Sequence, residues 1–135
     1  MKTAARPLIQ MMAYLIVADE RQKTYDRSLV HETALRLAVD SESLSAMLEE
    51  TILNMGTLDE IERLLIIDQA VMQVQQYEQG DIYRLLVRLA LEDGGLQSYA
   101  IILALAEIAD RLGLEPMDEC LLIAEVIREQ AEQDN

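Results

Sequence analysis

The stretch IERLLIIDQAVMQV, residues 61–74, decides what kind of fold the chain is expected to build. Apolar side chains recur at Ile61, Leu64, Leu65, Ile66, Ile67, Ala70, Val71, Met72 and Val74. They cover most of the circumference of a helix rather than one stripe, and a helix of that kind is buried on several sides. The reading is a central helix, helix 4 of the chain, with the others packed around it. Asp68 interrupts the run, with Leu64, Leu65, Val71 and Met72 three or four residues away on the same face. A carboxylate there needs a partner, because an unpaired buried charge is costly. The partner is a hydrogen-bond donor from a neighbouring helix or a bound ion; a half-exposed position is the other solution.

Outward from this segment the periodicity stays helical, and no hairpin signal appears. Helix 1 is expected from Pro7 to about Ala18, and helix 2 from an N-cap at Thr24 to about Val39. Helix 3 starts in Asp40–Ser43, ends near Asn54, and is broken from helix 4 at Gly56. Thr57 and Glu60 have the spacing of a capping box at the start of helix 4, which runs to about Gln76. Gly80-Asp81 separates it from helix 5, ending at Glu92. Helix 6 runs from Ser98 to Gly113, a good C-terminal glycine. Glu115-Pro116 opens helix 7, which fades into the polar tail EQAEQDN. Seven short-linked helices make one all-α domain over residues 1–135, a compact bundle.

The composition fits. With 135 residues and 51% hydrophobic content the chain can bury a sizeable core. It has no Trp or Phe, so Leu, Ile, Val, Ala and seven Met must fill that core. The formal charge of −14 repels phosphate backbones and anionic membranes, and attracts cations and basic proteins. The segment LIQMMAYLIVA (residues 8–18) after Lys2 and Arg6 faintly has the look of a signal peptide. Gln10 interrupts it, and it is too short to span a bilayer. A single cysteine, Cys120, excludes an intrachain disulfide, so a reducing, cytoplasmic setting is expected.

The two halves of the chain resemble each other. One offset pairs Asp19 with Asp93, Thr24 with Ser98, Tyr25 with Tyr99, Leu15 with Leu89 and Leu29 with Leu103. With one residue inserted, Arg36–Val39 pairs with Arg111–Leu114. Each unit reads as helix, acidic turn, N-cap, helix, and the two are expected to pack as pseudo-symmetric halves around helix 4. The stretches LIVADERQKTYD (residues 15–26) and LALEDGGLQSYA (residues 89–100) resemble the TerB-like domains, named for the tellurite-resistance protein TerB; ADRLGL (residues 109–114) resembles the end of the second unit. The resemblance implies a helical bundle, a role in chemical-stress response, no catalytic activity, and a cation-binding cluster of turn acids. Its candidates here are Asp19, Asp26 and Asp93, with Asp68 added from the residues alone. Glu20 stands where the family pattern has Gly, and Ala100 where it has a second acid.

An aspartate at a helix C-terminus faces the negative end of the dipole. An Asx-turn relieves this by accepting backbone amides; so does a hard cation such as Ca²⁺ or Mg²⁺ held between the turns. Both explanations stand at this point. Other chemistries fail. From Asp93 the loop lacks the ligands of an EF-hand, ending on Ala104 rather than Glu. HETAL (residues 31–35) has Leu35 where a zinc-protease helix has its second His. One His and one Cys cannot build the usual zinc or di-iron sites, and no phosphate loop is present. His31 is expected to pack between helices, Cys120 to be a buried, inert thiol, and Met11-Met12 to be core. The expected function is therefore a non-enzymatic stress-response protein with unidentified protein partners and a weak divalent-cation site. The alternative is a docking module whose acids serve only turns and solubility. The oligomeric state stays open, a homo-oligomer included.

Overall fold

The computed structural model describes residues 1–18, 27–91 and 98–133. Among them are seven α-helices and no strand: α1 (Ala5–Ala18), α2 (Arg27–Leu37), α3 (Ser41–Gly56), α4 (Glu60–Met72), α5 (Gln79–Leu91), α6 (Tyr99–Leu112) and α7 (Pro116–Gln133). A 3-10 turn, Gln76–Glu78, joins α4 to α5. The all-α bundle expected from the sequence is present. No described helix is long and apolar enough to cross a membrane.

The axis of the bundle is α1, not α4. From Pro7 to Ile16 every residue of α1 except Gln10 is buried. α3, α4, α5 and α6 all pack against it, while α7 packs on α5 and α2 on α3. In α4 only Ile67 and Ala70 are buried, whereas Ile61, Leu65 and Met72 are 73%, 57% and 84% exposed. The physical reason is charge. Residues 7–18 carry no ionisable group except the Tyr14 phenol, but α4 carries Glu60, Glu62, Arg63 and Asp68. Surrounding α4 would strand those charges, so the uncharged helix takes the centre. Leu8, Ile9, Met11 and Met12 are at most 1% exposed, as expected of the methionine pair.

Local signals set the helix ends with varying fidelity. Asp40 caps α3, its carboxylate accepting from Ser43 N at 2.9 Å. α3 then runs through Gly56 instead of breaking there. The capping box of α4 is built two residues later than expected, on Asp59 and Glu62. Glu62 N donates to Asp59 Oδ1 at 2.8 Å, and Asp59 N donates back to Glu62 Oε1 at 3.2 Å. Thr57 is still in helical conformation at the end of α3, so its hydroxyl donates to Asn54 O instead, at 2.7 Å. α4 stops at Met72 rather than about Gln76, and Gly80-Asp81 lies in the first turn of α5 rather than between helices.

The ends of α2 and α6 share a cap. Ala38 (φ +56°) and Gly113 (φ +80°) are both left-handed. Ala38 N donates to Leu35 O and Val39 N to Ala34 O; Gly113 N donates to Asp110 O and Leu114 N to Ala109 O. This is the Schellman arrangement, and it falls on the matched positions of the sequence repeat. The expected N-cap Thr24 of α2 lies outside the described residues; Ser98, its counterpart in α6, does cap Ile101 N.

The exchange of roles between α1 and α4 gives a direct stability contrast. Leu8→Ala in α1 should cost about 2–5 kcal/mol through the cavity it leaves. Leu65→Ala, at a mostly exposed position of α4, should cost less than about 1 kcal/mol. Urea unfolding of the two variants measures both; equal losses would contradict the α1-centred core.

Candidate functional site

Of the four cation candidates read from the sequence, one falls among the described residues. Asp19, Asp26 and Asp93 lie outside the described residues. Asp68 is described: it is half-exposed, and its Oδ1 accepts from Arg111 Nε at 2.7 Å. Its interruption of α4 is thus relieved by a donor from a neighbouring helix, α6. Among the described residues no three His, Cys, Asp or Glu side chains group so as to hold a metal ion. His31 is exposed on α2 rather than packed between helices, and Cys120 is exposed on α7 rather than buried. On α2 the apolar neighbour Val30 turns inward and His31 stays outside; on α7 Leu121, beside Cys120, is exposed with it. Thr33 and Ala34 take the inner face of α2, and Val126 that of α7.

Buried polar groups do structural work. Glu78, in the 3-10 turn, is 5% exposed. Its carboxylate accepts from Lys2 N (3.0 and 2.9 Å), Thr3 N (2.7 Å) and Thr3 Oγ1 (2.8 Å). Thr3 Oγ1 in turn accepts from Gln75 N at 3.1 Å. The clasp ties residues 2–3 to the α4–α5 connection. Burial alone pushes the Glu78 carboxyl up, but hydrogen bonds from Thr3 and from the amides of Lys2 and Thr3 outweigh it, and its pKa lies below the ordinary 4.5. The Tyr14 hydroxyl donates to Glu60 Oε1 at 2.7 Å, joining α1 to α4. Burial first, and this bond to Glu60 second, push that phenol well up.

Arginines tie the outer helices together. Arg88 of α5 donates both Nη groups to Glu32 of α2, at 2.9 and 2.8 Å, and this bond holds the Glu32 carboxyl below its usual range. Arg84 of α5 pairs with Glu125 and, at 3.6 Å, Glu129 of α7. Arg111 pairs with Glu107 on its own helix as well as with Asp68.

Apolar side chains are exposed on α6 (Tyr99, Ile102, Leu103) and α7 (Met117, Leu121), and two further surface features stand beside them. A cleft of about 370 Å³ opens between α1, α3 and α4. Its walls include Arg6, Gln10, Glu50, Thr51 and Asn54, over a floor of Met55 and Ile66. The second feature is on α4. Ile61, Leu65, Asp68 and Met72 follow a spacing of four, three and four residues, which places them in an arc of about 60°. This is the a/d spacing of a helix–helix seam, and the seam faces outward. The spacing is visible in the sequence. A helix that is apolar around most of its circumference does not show from sequence alone which stripe faces outward. The Glu78 clasp has no local sequence signal, since its partners are more than seventy residues away.

No family model, curated protein or solved structure matches the chain.

The clasp carries a pH signature. Glu78→Gln places an amide NH₂ against backbone N–H donors, so it should lower the melting temperature at neutral pH. Because the folded pKa of Glu78 is depressed, its contribution is complete above the unfolded value and fades as pH falls through the folded one. The stability gap between the chain and the variant should therefore be wide at about pH 7 and narrow toward about pH 3. Urea unfolding at both pH values reads it; a gap of constant size would show that the charge of Glu78 contributes nothing.

Proposed function

We propose that the chain is a TerB-like helical domain without catalytic activity, cytoplasmic, that works in a stress response by docking another protein. One observation carries this reading: the outward seam of α4, where Ile61, Leu65 and Met72 are more than half exposed along a single stripe. Isolated exposed apolar residues are ordinary on any surface, but an aligned row marks an interaction face. A buried helix needs its apolar residues on all sides; α4 packs one side on α1 and α6 and still keeps a second apolar stripe. The family resemblance in the acidic turns supplies the stress-response context.

The cation component of the proposal rests on the repeat. Asp19 and Asp93 occupy equivalent places after the helices that became α1 and α5, and Asp26 follows in the first unit. A Ca²⁺ or Mg²⁺ ion held there would raise the melting temperature by mass action. Asp19→Asn combined with Asp93→Asn should abolish a calcium-dependent rise, while the control Glu129→Gln with Glu132→Gln should not. No saturable rise below about millimolar calcium removes this component and leaves the docking role alone.

The docking role has its own test. A photoreactive residue at position 65 should cross-link a partner in the native cell, and the same residue at the exposed, polar position 132 on α7 should not. The recovered partner, purified, should bind the unaltered chain at least tenfold more tightly than the Ile61→Gln, Leu65→Gln variant. Equal affinity for both would place the contact elsewhere.

A further inference from the structure

We infer that the α4 seam receives a basic amphipathic helix of another protein, about three turns long. The inference rests on the docking reading above and adds the chemistry of the partner.

The length follows from the seam. Ile61 to Met72 spans about 17 Å of helix, so an occupant of about twelve residues covers it. Its apolar residues must repeat at the same four-three spacing to lie against Ile61, Leu65 and Met72.

The charge follows from Asp68. It occupies the third position of the seam, and its side chain is 51% exposed. Arg111 Nε donates to Oδ1, while Oδ2 has no donor among the described residues. The same guanidinium also serves Glu107, so one cation is shared between two carboxylates and the cluster keeps a net negative charge. Covering the seam with an apolar helix would remove water from that carboxylate and leave it under-compensated. A Lys or Arg on the occupant, placed to reach Oδ2, completes the cluster. Glu60 and Glu62 extend the negative rim at the start of α4, and the one basic residue of α4, Arg63, turns its Nε to Met55 O at 2.9 Å. The rim therefore favours positive charge along the flank of the occupant as well.

A second copy of this chain fits poorly. Two chains of charge −14 repel each other. Parallel pairing of two α4 seams would set Asp68 against Asp68, and antiparallel pairing would set each Asp68 against a Leu65. An acidic helix meets the same repulsion, and a neutral one leaves Asp68 uncompensated.

Three synthetic eighteen-residue helices with identical Leu seams test the inference, one with Lys, one with Gln and one with Glu at its flanking positions. They are titrated against the full chain by calorimetry at physiological salt. The Lys peptide should bind one to one and at least tenfold more tightly than the Gln peptide, with no binding by the Glu peptide. Ile61→Gln with Leu65→Gln should weaken the Lys peptide at least tenfold. Asp68→Asn should weaken it severalfold, and the distant control Glu129→Gln with Glu132→Gln should leave it unchanged. Circular dichroism checks that each variant keeps its helices.

Equal, seam-dependent binding of the Lys and Gln peptides would overturn the basic partner while leaving the docking role standing. Binding of the Lys peptide that the distant control weakens as much as Asp68→Asn would reduce the effect to overall charge and overturn the inference. If no peptide depends on Ile61 and Leu65, the inference and the docking role fall together. A concentration-dependent dimer lost in the Ile61→Gln, Leu65→Gln variant would instead make a second copy the occupant.

Discussion

A helix with apolar side chains on every face and no charge beyond its first turn has to be surrounded, and α1 is that helix. Between Pro7 and Ile16 only Gln10 escapes burial. Each fully buried Leu, Ile or Met contributes about 1.5–3 kcal/mol relative to exposure, so no arrangement that leaves α1 at the surface competes. The positions of α3, α4, α5 and α6 follow, because each supplies an apolar face to it. α4 is then confined to the periphery, where its charged residues stay hydrated. The outward seam on α4 is thus a consequence of what occupies the centre.

The acidic excess is handled unevenly across the molecule. Three arginines, Arg84, Arg88 and Arg111, each neutralise carboxylates that link α5 to α7, α5 to α2 and α6 to α4. Exposed pairs of this kind are individually worth about 0–1 kcal/mol, so they orient helices more than they hold the fold. Glu78 is the contrasting case. Its charge is spread over backbone amides and a hydroxyl instead of a cation. Asp68 lies between the two: partly compensated, partly solvated, and next to apolar side chains. That intermediate state is what makes the α4 seam selective for the charge of whatever covers it.

The class of fold was legible because helix periodicity and capping are local. Asp40, Ser98, Gly113 and Pro116 act within a turn of their own positions, and all four do what their chemistry implies. The choice of Thr57 over Asp59 as a cap failed by two residues, since both offer an acceptor oxygen and only the extended backbone at Asp59 decides. The ranking of α1 against α4 was harder. Both look apolar all round, and the difference lies in four charged side chains whose cost depends on what surrounds them. Aliphatic neighbours are a poor guide at His31 and Cys120, because a polar residue beside them can face either way on a helix. Of the candidate site, Asp68 was recognised as needing a partner, but Arg111 is forty-three residues away and no local pattern announces it. The seam lies within the same apolar stretch that suggests a core helix, because periodicity alone does not separate an inner stripe from an outer one.

In an α1-centred fold, α1 rather than α4 is the last element to lose its structure. Native-state hydrogen exchange measures this directly. The amides of α1 from Ile9 to Ile16 should exchange only through global unfolding, with the highest free energies of opening in the chain. The amides of α4 on its outward side, at Leu65 and Gln69, should open by smaller, local fluctuations and exchange faster. The reverse order, with α4 exchanging only on global unfolding and α1 opening locally, would contradict the α1-centred fold and the free α4 seam together.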